Sequence, residues 1–348
     1  MSFNTALTAI LCLLLVGFTA CETDMRRPDV SNITLDNQIV RYDHHFNAMD
    51  AQNVESKLTD LAERYPAFSE LYMSKILPLK PSTNKEEFNR SVLDFLEDKD
   101  VKQLNDTINE LFSDFSDTED KIVEALKYYK HYFPQSQTPN IYTFTSYFGY
   151  QSFIFPDHDR DGVAIGLDMF LGDSYPYKSI DPQNPAFSDY LTKFYVPEII
   201  PKRVIEQIIE DKLGPPIGSK FIDHMVHHGK KLYLMKRLLP TAPDHLIHEY
   251  TEEQMDWVRQ NETGIWTYIV DQELLYGTNN TMINRYTRPA PTSKNMPAES
   301  PGRTANFLGL QIVEAFMKAY PNTTLNELIS MNDGTEILQT SKYKPPRI

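Results

Sequence analysis

Cysteine is almost absent from this chain. The 348 residues include only Cys12 and Cys21, both within the first 21 positions. Once that segment is processed, the chain has no thiol for a disulfide framework, a cysteine-ligated zinc site, an iron–sulfur cluster or a cysteine nucleophile. The sequence also lacks the Gly-x-Ser-x-Gly motif of serine hydrolases and a glycine-rich loop that could cradle phosphate. These absences exclude several common classes of catalytic and cofactor site.

Basic residues are fewer than acidic residues in this chain. The chain has 34 Lys and Arg residues against 48 Asp and Glu residues, which gives a formal net charge of −14. Nucleic-acid binding requires a basic surface, so we predict no nucleic-acid partner. Hydrophobic residues make up 41% of the chain and charged residues 24%. This composition is typical of a globular protein with a real core and argues against wholesale disorder.

The N-terminus contains an apolar run from Ala6 to Ala20. A run of about 15 residues is short for a membrane-spanning helix and is typical of a signal-peptide core. It ends in the sequence FTAC at 18–21 and turns polar at Glu22, which resembles a bacterial lipobox. The resemblance implies cleavage after Ala20 and a lipid, such as palmitate, on Cys21. An ordinary signal peptide or a short anchor helix is the alternative.

Beyond the signal peptide (1–20), we predict a lipid-anchored polar tether (21–35) and one α-rich globular domain (36–348). Apolar residues recur at helical spacing over 50–133, alternate as in strands over 140–172, and return to helical spacing over 195–340. The predicted fold is therefore α+β, predominantly helical, around a small antiparallel sheet. Residues 39–42 predict a strand or extended arm. The proline-rich stretch 278–302 predicts a long ordered loop.

A series of short motifs is spread over residues 36–346. They are YFP (132–134), GLDMFLG (166–172), YP (175–176), GKKLY (229–233), LLP (238–240), YTEEQ (250–254) with Trp257, SPGR (300–303), Gly309, IV (312–313) and SKYKP (341–345). No single motif is specific, but in their order and spacing together they resemble the gliding-motility lipoprotein B (GldB) family. The resemblance implies a lipid-anchored envelope protein that supports gliding and the associated type 9 secretion machinery, without catalysis.

The order of strands and helices is also similar to the zinc metallopeptidases called zincins, but the zinc motif is missing. A zincin helix carries two His four residues apart with a Glu beside the first. The corresponding stretch here reads Ile205-Glu206-x-x-Ile209, which keeps the Glu and replaces both ligands by Ile. The stretch His248-Glu249 with Glu252 mimics the motif but lies in a predicted turn. We therefore predict no zinc peptidase activity.

Two other groups of residues are candidate metal ligands. Asp157, Asp159 and Asp161, with Gly162 and then Asp168, follow the spacing of a calcium loop, although their flanks are typical of strands. The alternative is a solvated acidic hairpin tip in which Asp-Gly forms the turn.

His224 and His228 share a helical face, and His245 or His248 could supply a third ligand. The adjacent lysines disfavour a dication, so a solvated or hydrogen-bonded polar face is the alternative. We predict no cofactor, with calcium at the acidic loop as the open possibility.

The leading functional prediction is a structural or assembly lipoprotein of the cell envelope, anchored by its N-terminal lipid and facing the periplasm from the outer membrane. Its expected partners are the membrane and other envelope proteins of the gliding and secretion machinery. The alternatives are an exported metal-dependent hydrolase and a calcium-stabilised ligand-binding lipoprotein.

Overall fold

A computed structural model describes residues 27–80 and 82–346 of the chain. Cys21 and the predicted signal peptide lie outside the described residues. The described chain is mostly helical with one four-stranded sheet, which confirms the predicted α+β class.

The region predicted to be helical from its apolar spacing, 50–133, does form helices. The helices before the central strands are α1 (Tyr42–Asn47), α2 (Val54–Arg64), α3 (Pro66–Leu71), α4 (Lys85–Glu97), α5 (Lys99–Leu111) and α6 (Ser116–Tyr132). A π-helical turn, Tyr72–Ile76, continues α3. Side chains cap two of these helices: Asn84 accepts a hydrogen bond at the start of α4, and Asp98 accepts two at the start of α5. Such caps satisfy backbone N–H groups that the first turn leaves free.

The sheet is mixed, whereas the sequence pattern predicted an antiparallel one. Its strands are β1 (Ile39–Arg41), β2 (Asn140–Phe144), β3 (Ser152–Asp157) and β4 (Arg160–Gly166), in the order β1-β2-β4-β3. β1 pairs with β2 and β2 pairs with β4 in parallel, and only the β3–β4 hairpin is antiparallel. Side chains alternate between faces in both kinds of ladder, so the alternation predicts strands without predicting their direction.

The hairpin turn lies three residues earlier than the Asp161-Gly162 dipeptide suggested. Asp157 pairs with Arg160, so His158 and Asp159 form the turn, and His158 has a positive φ of 59°. Gly162 lies inside β4, where a Cβ would approach the Phe155 ring to 2.3 Å. Here glycine leaves room for an aromatic ring across the hairpin.

The two faces of the sheet pack against different cores. Tyr142, Phe144 and Phe155 point into the smaller core, which helices α1 to α4 complete with a group of edge-to-face and stacked rings. Ile141 and Val163 point into the larger core with the C-terminal helices. This arrangement follows from the period of two, since adjacent residues of a strand face opposite sides.

Beyond the sheet the chain is helical again. After a 3-10 turn at Leu167–Phe170 the helices are α7 (Tyr177–Ile180), α8 (Asp189–Thr192), α9 (Ile200–Leu213), α10 (Phe221–Leu238), α11 (Asp244–His248), α12 (Glu252–Gln260), α13 (Glu262–Asp271), α14 (Asn280–Thr287), α15 (Thr304–Ala319), α16 (Leu325–Ser330) and α17 (Gly334–Ser341). α14 occupies the first part of the stretch predicted to be a loop, because the four prolines from Pro289 onward all follow its end.

The helices α10 and α15 cross at two glycines. A Cβ on Gly229 would lie 2.2 Å from the backbone of Gly309, and one on Gly309 would lie 1.9 Å from the carbonyl oxygen of Met225. Only glycine permits this close approach, which places the two helices at the centre of the larger core. No helix within residues 27–80 and 82–346 is long and apolar enough to cross a membrane.

Candidate functional site

Six ionisable side chains from distant parts of the sequence meet at the edge of the larger core. We call them the charge cluster. They are Lys202, Arg203 and Glu206 on α9, Lys231 on α10, Glu249 at the end of α11 and Arg303 just before α15. Charged side chains are rarely buried unless they are paired, so this concentration is unusual for a helical core.

Helix α9 supplies half of the cluster because its two faces differ. Ile205 and Ile209 are 0% and 2% exposed and belong to the larger core. Lys202 and Glu206 are four residues apart and therefore share another face of the helix. The helix thus presents charge to one side while its isoleucines anchor it on the other.

Glu249 is surrounded by cations. Its carboxylate contacts Lys202 Nζ and lies 2.8 Å from Arg203 Nη1. Arg303 Nη1 lies 3.5 Å from the same carboxylate, and Arg303 Nη2 donates to the Glu249 carbonyl oxygen at 3.0 Å. Burial alone would raise the pKa of Glu249, but Arg203, Lys202 and Arg303 outweigh it and hold the pKa well below its usual range.

Glu206 is paired in the same way. Lys202 Nζ lies 2.7 Å from it, Arg203 Nη1 2.8 Å and Lys231 Nζ 2.6 Å. Lys231 also contacts Glu210, whose side chain is 50% exposed. Burial would raise the pKa of Glu206, and the surrounding cations lower it well below the usual value. Both buried carboxylates are therefore ionised at neutral pH.

The backbone on each side of the Glu249–Arg303 contact is held in an uncommon conformation. Glu249 has a φ of 52° and Arg303 a φ of 61°, both in the left-handed region. Non-glycine residues are uncommon there, and such strain is concentrated at functional sites. The ion pairs of the cluster help to keep both residues in place.

A small cavity of about 40 Å³ adjoins the cluster. It is lined by Lys202, Glu206, His228, Lys231, Leu232, Met235, Ile247, His248, Tyr250, Arg303 and Asn306. Two of its lining atoms, His248 Nε2 and Asn306 Oδ1, are buried and have no hydrogen-bond partner among the described residues. Arg203 Nε, in the cluster itself, is also unpartnered. Buried polar atoms are nearly always paired, so these three atoms are available to hydrogen-bond with a bound group.

A wider groove of about 500 Å³ lies next to the cavity. His228 and Lys231 line both, and the groove is completed by the end of α9 with Pro215 and Pro216 and by His227. Burial lowers the pKa of His228 to about 3, with a smaller contribution from neighbouring cations. His228 is therefore neutral at physiological pH, and Lys231 is the cation between groove and cavity.

Helix α9 lacks the metal ligands that a zincin helix would need. The two positions that would need to be metal ligands, Ile205 and Ile209, point into the apolar core. Glu206 is held by three cations, so it is not positioned as a free base. This helix cannot hold zinc in the zincin manner. The zincin-like arrangement itself remains a prediction.

The structure does not bring the four aspartates of the acidic loop together. Asp157 accepts hydrogen bonds from Asn140 Nδ2 at 2.9 Å and from Tyr142 Oη at 2.7 Å. Asp161 is exposed and lies on the opposite face of the hairpin, because its cross-strand partner is the neighbour of Asp157. Asp159 is in the exposed turn.

Asp168 is separated from this turn by the length of β4. It is fully buried and accepts hydrogen bonds from Ser146 N at 2.6 Å, from Ser146 Oγ at 2.8 Å and from Phe148 N. Burial raises its pKa, and these hydrogen bonds offset part of that rise. Asp168 therefore fixes the loop between β2 and β3.

The histidines are also arranged differently from the predicted pair. His228 and His248 both line the cavity, whereas His224 does not. His224 is half-buried, which lowers its pKa. Among residues 27–80 and 82–346, no three His, Cys, Asp or Glu side chains are placed so that they could hold a metal ion.

Sequence reasoning identified some of the site for other reasons and missed the rest. The sequence singles out His248 and Glu249 because they mimic a zinc motif. It singles out Lys231 because its charge disfavours a bound metal ion. Lys202 and Arg203 were missed. The available signal was the pattern of charges at 202, 203 and 206 on a helix whose other residues are strongly apolar.

Comparisons with known proteins identify a family. A family model described as gliding motility protein GldB matches residues 23–345. No curated protein and no solved structure matches the chain. Parts of the sequence that resemble the family, including 229–233 and 300–303, lie at the charge cluster and the helix crossing. Because the match extends over nearly the whole chain, the protein belongs to the GldB family of gliding motility proteins.

Proposed function

We propose that the protein is a lipid-anchored component of the cell envelope that supports gliding motility and type 9 secretion as a binding or assembly factor rather than as a catalyst. The family match over residues 23–345 is the observation that carries this proposal. The position of Cys21, where the apolar run meets polar sequence, supports the lipid anchor. An outer-membrane location facing the periplasm is part of the proposal.

The anchor would hold the folded body close to the membrane. Val30 is 7% exposed and belongs to the larger core, and Ile33 and Leu35 pack against it. The later part of the predicted tether is therefore laid against the body. Between Cys21 and Val30 the chain can span at most about 30 Å, since an extended residue covers about 3.3–3.6 Å.

Replacement of the anchor cysteine is the first test. Cys21→Ser should abolish incorporation of a palmitate analogue, because it removes the thiol that is proposed to carry the lipid. The matched control is Cys12→Ser, which removes the other thiol from within the apolar run and should still be labelled. Undiminished labelling of Cys21→Ser would contradict the lipoprotein proposal.

The non-catalytic role is tested in a strain that lacks the gene. Glu206→Gln removes the single zincin-like carboxylate of α9 and should still restore gliding and secretion if no chemistry depends on it. Immunoblots must show normal abundance, since the change also removes a buried charge. Loss of both phenotypes at normal abundance and fold would favour the hydrolase alternative. Metal analysis of the purified protein adds a second readout, since one zinc per chain would support that alternative.

The direct partners can be identified by capture from crosslinked envelopes. The full-length protein should bring down other proteins of the gliding and secretion machinery. Cys21→Ser serves as the control for membrane placement and should recover fewer of them. Recovery of no envelope protein by either form would contradict an assembly role.

A further inference from the structure

The charge cluster carries more positive than negative charge. Four cations, Lys202, Arg203, Lys231 and Arg303, surround two buried carboxylates, and the third carboxylate that they reach, on Glu210, is half-exposed. A buried charge without a counter-charge is costly. An anion in the adjoining cavity would neutralise the remaining positive charge.

Two unpartnered atoms in the cavity wall have defined orientations. Asn306 Nδ2 donates to the Thr287 carbonyl oxygen at 3.0 Å, which fixes the amide so that Oδ1 is left free. The His248 ring stacks on Tyr250 with centroids 5.4 Å apart and also packs on Phe307, and its Nε2 has no partner in the part of the chain that the structure describes. His248 is 4% exposed, so water at the protein surface does not reach this nitrogen.

The size of the cavity limits the anion. A volume of about 40 Å³ has room for roughly three water molecules, since one needs about 10–15 Å³. A carboxylate group, with three heavy atoms, suits a space of this size better than a phosphate or sulfate, which has five. His228 and Lys231 line both the cavity and the groove, so a carboxylate at the end of a longer molecule can enter while the rest lies in the groove.

We propose that the cavity beside the charge cluster binds the carboxylate end group of a ligand that lies in the groove between α9 and α10. Lys231 and Arg303 supply the positive charge, and His248 Nε2 donates to the carboxylate. Asn306 Oδ1 accepts the N–H group that lies next to a peptide's terminal carboxylate. The ligand is therefore either a polypeptide C-terminus or a small free carboxylate. This binding does not depend on the proposed role in gliding, so the two can fail separately.

The first experiment uses detergent-solubilised full-length protein and sodium acetate that replaces sodium chloride at constant ionic strength. Thermal unfolding should shift to higher temperature as acetate rises, because a ligand of the folded state stabilises it. Absence of any shift would overturn the proposal. Calorimetry with glycylglycine and with its C-terminal amide then distinguishes a polypeptide C-terminus from a small free carboxylate as the ligand. Binding of the free acid and not the amide identifies a peptide C-terminus, and binding of acetate alone identifies a small carboxylate.

Matched variants place the binding in the cavity. Lys231→Met removes the cation at the cavity mouth and should weaken acetate binding at least tenfold. Lys236→Met is the control on the same helix, because Lys236 pairs with Asp244 and Glu314 and does not line the cavity. His248→Phe keeps the ring packing and should also weaken binding, which provides a second test if Lys231→Met does not fold. Equal affinity in the folded Lys231 and Lys236 variants, or undiminished affinity in His248→Phe, would overturn the proposal.

Discussion

Replacement of His248 by Phe should make the stability of the protein less sensitive to acid. The His248 ring is 4% exposed, stacks on Tyr250 and packs on Phe307. Burial lowers its pKa to about 3 and outweighs the opposing effect of Asp244, and the cations Lys236 and Arg303 lower the pKa further. The folded protein therefore holds this imidazole neutral at pH values where an unfolded chain would protonate it.

The sign and size of the effect follow from proton linkage. The pKa of an unfolded His is about 6.5, so between pH 6.5 and about 3 the unfolded chain binds one more proton at this position than the folded chain. The free energy of unfolding consequently falls as the pH falls, by about 1.4 kcal/mol for each pH unit within that window. From pH 7 to pH 5 the contribution of His248 is a loss of about 2 kcal/mol.

Urea unfolding at pH 7 and pH 5, in buffers without carboxylates, measures this contribution. The loss of stability between the two pH values should be about 2 kcal/mol smaller in His248→Phe than in the unsubstituted protein. Tyr250→Phe is the control, because it removes the buried hydroxyl that donates to the Gly302 carbonyl oxygen but no group that titrates in this range. It should lower stability equally at both pH values. If His248→Phe loses as much stability as the unsubstituted protein, the imidazole is not held neutral and the reasoning is wrong.

Three further predictions concern the cluster, the helix crossing and the acidic loop. Glu249→Gln should lower the free energy of unfolding in urea by about 3–5 kcal/mol, because it leaves buried cations without their counter-charge; a change below 1 kcal/mol would contradict the buried pairing. Gly309→Ala should cost about 1–3 kcal/mol or more by forcing α10 and α15 apart, while Gly264→Ala on α13, where a Cβ meets open space, should be neutral or slightly stabilising. Equal effects of these two alanines would show that the crossing is not tight. Calcium should leave the melting temperature unchanged both in the native protein and in the Asp159→Asn, Asp161→Asn double variant; a rise of several degrees that the double variant loses would show that the loop binds calcium.

The sequence predicted the elements of this fold better than their arrangement. Apolar spacing alone predicted helices over 195–340, where α9, α10 and α15 lie, because the amphipathic period of a helix is visible in the sequence itself. The same reasoning missed α14, since prolines further along the stretch 278–302 suggested a loop throughout.

The sequence pattern did not predict whether the strands pair in parallel or antiparallel. Residues 140–166 alternate as strands, yet β1 from residues 39–41 supplies the parallel edge next to β2. The intervening helices α1 to α6 form the crossover that a parallel pair requires. Local alternation contains no information about which distant strand will pair.

The candidate site shows the same division. The sequence by itself determined that α9 carries Lys202, Arg203 and Glu206 beside buried isoleucines, and that the family motifs include Lys231 and Arg303. Only the tertiary structure decided that Glu249 meets Lys202, 47 residues before it, and Arg303, 54 residues after it. The physical reason is that ion pairing depends on distance in space, and the glycine crossing of α10 and α15, together with the isoleucine face of α9, sets those distances by packing.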